Sequence, residues 1–361
     1  MKSRLWNHSR SLLLTGLIAL FFSSACQNGI FQAANDLLIT PTPVEEALVE
    51  IFFSQPGSPE AMDYEGGPAE AMTTAIESAR FSIDMAIYNL NLWSVRDALI
   101  RAHNRGVTIR LVAESDNLDG EEYTELQAVG IPLLGDRREG LMHNKFMVID
   151  RTDVWTGSMN FTLNSAYEDD NNLIHIHSPE VAGIYLDEFE EMFTQDLFGP
   201  GNFSVPLPEV SLGTTRVEVL FSPDDGIQER LVELVLSAER EIRFLAYSFT
   251  ADALGEAIRT KAASGIHVEG IMDAGQVESN VGTEYGVFLQ AGLEVCNDSS
   301  DGAMHHKVLV IDESVVVAGS YNFSSNAEEV NDENVVILHD PAIASLFLAE
   351  FQRVSRDALC P

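Results

Sequence analysis

Positive charge is what this chain has least of. Its 361 residues hold 21 Lys+Arg against 56 Asp+Glu, a formal net charge of −35. Residues 1–25 contain Lys2, Arg4 and Arg10 and no acid, so the remainder carries −38, that is −35 less those three positive charges. Such a surface repels long polyanions and anionic bilayers at low salt, an effect that screening weakens beyond about 8–10 Å. The consequences are high solubility and a bias against nucleic acid, although a cleft within that surface can be locally positive. Cysteine is also scarce, at three. His175 and His177 alternate beside Asp169 and Asp170, but no third histidine or cysteine stands at ligand spacing, which argues against a metal site there. The acidic 116–121 segment has the wrong spacing for a calcium loop and reads as a solvated loop. Neither Ser158 nor Ser320 lies in G-x-S-x-G, so the nucleophile elbow of a serine hydrolase is missing.

Long apolar runs are missing too, except at the start. Lys2, Arg4 and Arg10 precede an apolar run from Leu12 to Phe22, followed by Ser23-Ser24-Ala25-Cys26. That run is short for a span of ~20 residues and has the layout of a secretory signal with a small-residue cleavage site. A cysteine just after small residues resembles a bacterial lipoprotein processing site, which would lipidate Cys26; the departure is Ser23, where that motif usually has leucine. The expectation is a signal peptide over 1–25, a polar, proline-containing tether over 26–47, and export as a membrane-anchored lipoprotein or a secreted protein of the bacterial cell envelope. If Cys26 is acylated, Cys296 and Cys360 remain. Outside the cell a disulfide between them is permitted, and two thiols alone do not establish one.

What the chain does have, it has twice. Met142-His143-Asn144-Lys145 leads into an apolar run ending at Asp150, then Gly157-Ser158-Met159-Asn160-Phe161-Thr162. Met304-His305-His306-Lys307 leads into a second such run ending at Asp312, then Gly319-Ser320-Tyr321-Asn322-Phe323-Ser324. Both read H-x-K, four residues, D, six residues, G-S-x-N-F-[ST]. A single short pattern arises by chance, whereas two copies with the same tail at the same distance form a strong signal. The surroundings repeat as well. Each half begins with a strand, 49–54 or 217–222, followed by a helix, 69–79 or 228–238. Next come the strands 81–88 and 241–249, with Ile83 and Tyr88 matching Ile242 and Tyr247. Strands alternating with helices indicate α/β sheets with helices on their faces. The halves are expected over 48–197 and 216–361, joined by a proline- and glycine-rich linker over 198–215.

The spacing carries a chemistry. Side chains two apart on a strand share a face, so His143 points with Lys145 and His305 with Lys307. Asp150 and Asp312 lie an odd step further on and are expected to be structural anchors. His306, between His305 and Lys307, faces the other way and is expected to pack or to hydrogen-bond locally. Two imidazoles and two ammonium groups brought together suit attack on a phosphodiester: one histidine as nucleophile, the other as general acid, and the lysines on the phosphoryl oxygens. No metal or other cofactor is required. Ser158, Asn160, Ser320 and Asn322 are expected to support the phosphate pocket. Arg137 and Arg138 read either as a contact for a headgroup or as a surface cluster with Asp136 and Glu139.

This duplicated H-x-K-x4-D resembles the signature of the phospholipase D superfamily, and the likeness runs from about Val49 to the C-terminus. It implies two tandem repeats of an α/β sandwich, each a mixed sheet flanked by helices, with the active site at a pseudo-twofold interface and a phosphohistidine intermediate. The family often carries an acid downstream of each motif that orients a histidine. Aligning Gly157 with Gly319 puts Glu333 opposite Asn171, so the first repeat departs from the pattern and leaves open whether Asp170 stands in. The resemblance implies catalytic roles for His143, Lys145, His305, Lys307 and Glu333. The expected activity is a monomeric, metal-independent phospholipase D acting on a phospholipid headgroup ester. The alternatives are an endonuclease and a phosphatidyl transferase like cardiolipin synthase; the last normally brings membrane helices.

Overall fold

The computed structural model describes residues 48–201 and 209–361. The leader and tether expected over 1–47, with Cys26, lie outside the described residues.

The described chain forms two mixed sheets flanked by helices, one sheet per repeat. The first holds β1 (Val49–Phe53), β2 (Ser82–Ile87), β3 (Thr108–Ala113), β4 (Leu133–Gly135), β5 (Lys145–Ile149), β6 (Asp153–Gly157) and β7 (Asn172–His177), in the order β1-β7-β6-β5-β2-β3-β4. The second holds β8 (Val210–Leu212), β9 (Thr215–Ser222), β10 (Glu241–Ala246), β11 (His267–Met272), β12 (Glu294–Asn297), β13 (Lys307–Ile311), β14 (Val315–Gly319) and β15 (Glu333–His339), in the order β12-β11-β10-β13-β14-β15-β9-β8. Parallel pairs β2/β3 and β10/β11 follow helical crossovers, and the motif strands β5 and β13 run antiparallel to β2 and β10. The duplication is thus an α/β fold of two like repeats. The segment 198–215, expected as linker, gives up its end to structure: β8 lies inside it and pairs with β9, which starts at Thr215. Apolar Val210 and Leu212 make that strand, packing into the core beside Val217.

Alternation along the motif strands feeds two cores at once. Phe146 and Val148 enter a central core with Val308 and Val310, while Met147 and Ile149 face an outer core of the first repeat. Leu309 and Ile311 do the same for the second repeat. The helices Pro179–Gln195 and Pro341–Ser355 contribute Tyr185, Phe189, Phe347 and Phe351 to the central core. Each starts with proline behind a capping side chain, Ser178 or Asp340, which suits a first turn. The halves therefore share apolar burial, which fixes their mutual position and with it the line along which the motifs meet.

Asp150 and Asp312 anchor the far ends of the motif strands. Asp150 accepts the backbone N–H groups of Arg80, Phe81 and Ser82 at 2.6–3.2 Å, and Asp312 those of Glu239, Arg240 and Glu241 at 2.7–3.0 Å. Gly157 and Gly319 end β6 and β14 with φ of 147° and 152°. A Cβ on either would stand 2.4 or 2.2 Å from the carbonyl oxygen of Asn172 or Asn334, so the G-S step admits only glycine. Cys296 and Cys360 form a disulfide, and Asn297 and Leu359 exchange backbone hydrogen bonds beside it. This ties the C-terminus to β12.

Candidate active site

The histidines are held by the opposite repeat. The His143 N–H donates to Asp332 O and the His305 N–H to Asp170 O, both at 2.9 Å, and Asp332 N and Asp170 N return bonds to Leu141 O and Ala303 O. Because that pairing takes the peptide away from its own sheet, β5 and β13 begin only at Lys145 and Lys307. The histidines precede the motif strands and do not lie on them, a correction to the reading in which each shared a strand face with its lysine. A second acid braces each entry: Glu114 accepts Met142 N at 2.9 Å and Asp273 accepts Met304 N at 3.0 Å.

Glu333 and Asn171 sit at matching places and give the two rings different partners. His143 Nδ1 donates to Glu333 Oε2 at 2.7 Å, and the carboxylate is fully buried. His305 Nδ1 meets Asn171 Oδ1 at 2.9 Å, and that oxygen also accepts from Ser158 Oγ at 2.9 Å. Asp170 does not stand in for the missing acid; its carboxylate is taken by Arg353 and by Ser300 Oγ. In both rings Nδ1 faces a fixed acceptor, which leaves Nε2 to face a substrate.

Lys145 and Lys307 are 0% and 1% exposed. Their Nζ atoms donate to His143 O at 2.7 Å and His305 O at 2.8 Å. Burial pulls Lys145 down to about 7, against the opposing charge of Glu333. Lys307 falls well below its ordinary value through burial and the nearby Lys145. His143 is lowered by burial, with Glu333 opposing and the lysines adding. His305 lacks a carboxylate and is lowered further, by burial and then by Lys307 and Lys145. Two lysines and two histidines thus lie desolvated together inside an acidic protein.

Two pairs escaped the sequence reading. Tyr88 and Tyr247 place their ring edges on His143 and His305, at centroid distances of 4.7 and 4.6 Å. Glu114 and Asp273 are the braces described above. The available signal was that both pairs occupy matching places just after β2/β10 and β3/β11. The tail residues do what their polarity allows. Ser158 Oγ and Ser320 Oγ accept Asn172 N and Asn334 N at 3.0 Å, while Asn160 and Asn322 each keep a buried Oδ1 without a partner among the described residues.

The remaining polar candidates are structural. Arg138 bridges the repeats, to Asp332 at 2.5 Å and Val330 O at 2.8 Å, and Arg137 pairs with Asp196. His306 is buried between Asn172 Nδ2 and Glu350, each at 3.0 Å. His175 and His177 are both bonded to Asp153, and His175 also to Glu50. His267, Glu269 and Glu294 could together meet a cation, but Arg243 already pairs with Glu269 at 2.7 Å. That group stands where β11 meets Glu241, at the other end of β10 from Ala246 and Lys307.

Comparison with known proteins covers both repeats. The family model described as "Cardiolipin synthase, PLD-like domain" matches residues 72–193 and again 231–355, one span in each repeat. The mitochondrial cardiolipin hydrolase of Mus musculus is 34% identical over 125 residues, 35% of this chain and 56% of that protein. This chain spans about half the length of the mammalian cardiolipin hydrolases that it matches. A phospholipase D of Rickettsia prowazekii (strain Madrid E) is 27% identical over 170 residues, 46% of this chain and 82% of that protein. The solved phosphatidylserine synthase of Haemophilus influenzae Rd KW20 superposes with a TM-score of 0.63 over 86% of this chain and 90% of that one; at 14% identity the likeness is one of fold.

Proposed function

The chain belongs to the phospholipase D-like family, and from that premise we propose that it hydrolyses the headgroup ester of a phospholipid through a phosphohistidine on His143. The observation that carries this reading is the unequal pair of partners, a carboxylate on His143 and an amide on His305. A buried carboxylate fixes the imidazole tautomer and raises its basicity, which suits the ring whose Nε2 bonds to phosphorus. As the N–P bond forms, the P–O bond to the headgroup breaks and the departing oxygen takes a proton from His305. Water then enters with His305 as base, the N–P bond breaks, and phosphatidate leaves. Burial and then the nearby lysines lower the proton affinity of His305; a bound phosphate monoanion adds negative charge beside the ring, which raises it. Lys145 and Lys307 hold the phosphoryl oxygens in both steps.

The lipid assignment rests on relatives named for cardiolipin hydrolysis and phospholipase D; the acidic surface argues against long nucleic acid and, by the same repulsion, favours no anionic bilayer. Export, with Cys26 as lipid anchor, belongs to the same proposal and rests on the leader sequence. The test offers the protein phospholipids, bis-p-nitrophenyl phosphate and single-stranded DNA side by side. Release of a headgroup alcohol with phosphatidate is expected. Cleavage of DNA in preference to lipid overturns the substrate, and transfer of the phosphatidyl group to an added alcohol in preference to water overturns the hydrolysis.

A further inference from the structure

A lysine that is fully buried ordinarily has a carboxylate beside it, because desolvating an unpaired ammonium is costly. Among the described residues neither Lys145 nor Lys307 makes an ion pair, and the nearby carboxylates, Glu333 for both, act only through charge at longer range. The only hydrogen bond that either ammonium makes among the described residues goes to the carbonyl of its own histidine, at 2.7 and 2.8 Å. What stands against each ammonium instead is an aromatic ring. Lys145 Nζ lies 5.0 Å from the centroid of Tyr88, and Lys307 Nζ lies 4.6 Å from that of Tyr247. Both distances are inside the ~6 Å at which a ring quadrupole attracts a cation.

The rings are well fixed. Tyr88 N donates to Asn144 O at 3.0 Å and Tyr247 N to His306 O at 2.8 Å, which extends the pairing of β2 with β5 and of β10 with β13 by one residue. Asn117 Nδ2 holds Tyr88 O at 2.8 Å, and Gln276 Nε2 holds the Tyr247 hydroxyl at 3.1 Å. Each ring also meets its histidine edge-on, at interplanar angles of 67° and 66°. Neither tyrosine is a core residue, since both are half-buried. One ring therefore contacts both functional side chains of its motif, and the arrangement occurs in both repeats.

We propose that Tyr88 and Tyr247 are positioning residues whose rings keep the ammonium groups of Lys145 and Lys307 charged and aimed at the phosphate, in the role a carboxylate usually fills. The choice has a chemical advantage. A carboxylate at that place would neutralise the lysine and repel the incoming phosphate, whereas a ring stabilises the cation and adds no net charge. Each ammonium has three donors; the carbonyl takes one, which leaves the others for the phosphoryl oxygens. The other charged or titratable groups around the lysines are His143, His305, Glu333, Asp273 and Asp169, and the two lysines oppose each other. The inference rests on reading the site as one for a phosphodiester, and deepens that reading.

The test separates ring from hydroxyl. Tyr88→Phe and Tyr247→Phe keep the quadrupole, and Tyr88→Leu and Tyr247→Leu remove it. Two quantities are followed from pH 5 to 9: kcat/KM on bis-p-nitrophenyl phosphate, and binding of inorganic sulfate, whose charge is constant over that range. The leucine variants should move the alkaline fall of both to lower pH by about one unit, and weaken sulfate binding about tenfold above the wild-type midpoint. The phenylalanine variants should keep the fall at its wild-type pH. Two results overturn the proposal: leucine variants that lose rate evenly at all pH values, or phenylalanine variants that shift as far as leucine. Should a leucine variant lose its cooperative melt, Tyr88→Met and Tyr247→Met carry the same comparison. A wild-type protein that cleaves no diester refutes the proposed function, while its sulfate binding still tests the rings.

Discussion

Glu333 and His143 belong to different halves of the chain, yet Oε2 of one lies 2.7 Å from Nδ1 of the other inside a buried site. The matching pair in the other direction is Asn171 with His305, at 2.9 Å. Duplication supplied two like half-sites, and this difference gives their histidines unequal partners. The chemistry proposed above needs that inequality, since one ring must attack while the other carries a proton.

Glu333→Gln keeps the shape of the partner and removes its charge. It should lower kcat on bis-p-nitrophenyl phosphate by about 10²–10⁴-fold, as expected when a histidine loses the group that fixes its tautomer. Asn171→Ala should cost roughly tenfold, since it removes a neutral partner. Steady-state kinetics with a thermal melt of each variant checks both; equal losses would mean that the two rings share one role.

The pH dependence of kcat/KM on bis-p-nitrophenyl phosphate, whose leaving group needs no proton from His305, follows from Lys145 and His143. Lys145, brought down to about 7 by burial against the pull of Glu333, loses its proton as the pH rises through that value. His143 is lowered by burial, so its neutral form persists below its ordinary 6.5 and is lost only on further acidification. The profile should be a bell with its optimum on the acid side of neutrality. A rate still climbing between pH 8 and 9 would show that the lysines stay charged well above that range.

Much of this arrangement is legible in the sequence. Register did the work around Lys145 and Lys307, because a period of two fixes which residues face which core. Glu333 was found by ungapped alignment of two tails whose G-S step tolerates no Cβ. Other features depend on chain crossings that periodicity does not encode. His143 reads as a strand residue until Asp332 of the other half takes its N–H. Tyr88 reads as the end of a strand until β2 brings it beside β5 and over Lys145. Short apolar β8, hidden among prolines, reads as linker. Asp170 and Asn171 could not be ranked from sequence; Arg353, far along the chain, decides by occupying Asp170.

Asp312 should matter for stability and not for the chemical step. Burial opposes its charge, but the N–H groups of Glu239, Glu241 and Arg240 outweigh it and hold the carboxyl below its ordinary value. The stabilisation is therefore complete above the unfolded value of about 3.9 and is lost as the pH falls through the lower folded value. Asp312→Ala should lower stability by about 1–3 kcal/mol, toward the smaller figure because these bonds are near solvent. Chemical denaturation at pH 7 and pH 3 checks this: the gap between wild type and variant should shrink in acid.

Hydrolysis should persist in excess EDTA, because Lys145 and Lys307 supply the charge on the phosphoryl oxygens. A soluble diester is the proper substrate, so that ions needed only to present lipid do not intervene. Activity abolished by EDTA and restored by a divalent ion would contradict the lysine-based account.

The most direct measurement is to map the covalent phosphate. With bis-p-nitrophenyl phosphate the leaving p-nitrophenolate needs no proton, so His305→Ala should still be phosphorylated while lacking the base that activates water. The adduct should accumulate in that variant and be absent from His143→Ala. Rapid quenching at alkaline pH, proteolysis and mass spectrometry should find the phosphoryl group on His143. Phosphate mapped to His305 in the wild type would reverse the roles. No adduct in any variant would contradict the covalent mechanism and leave direct attack by water in its place.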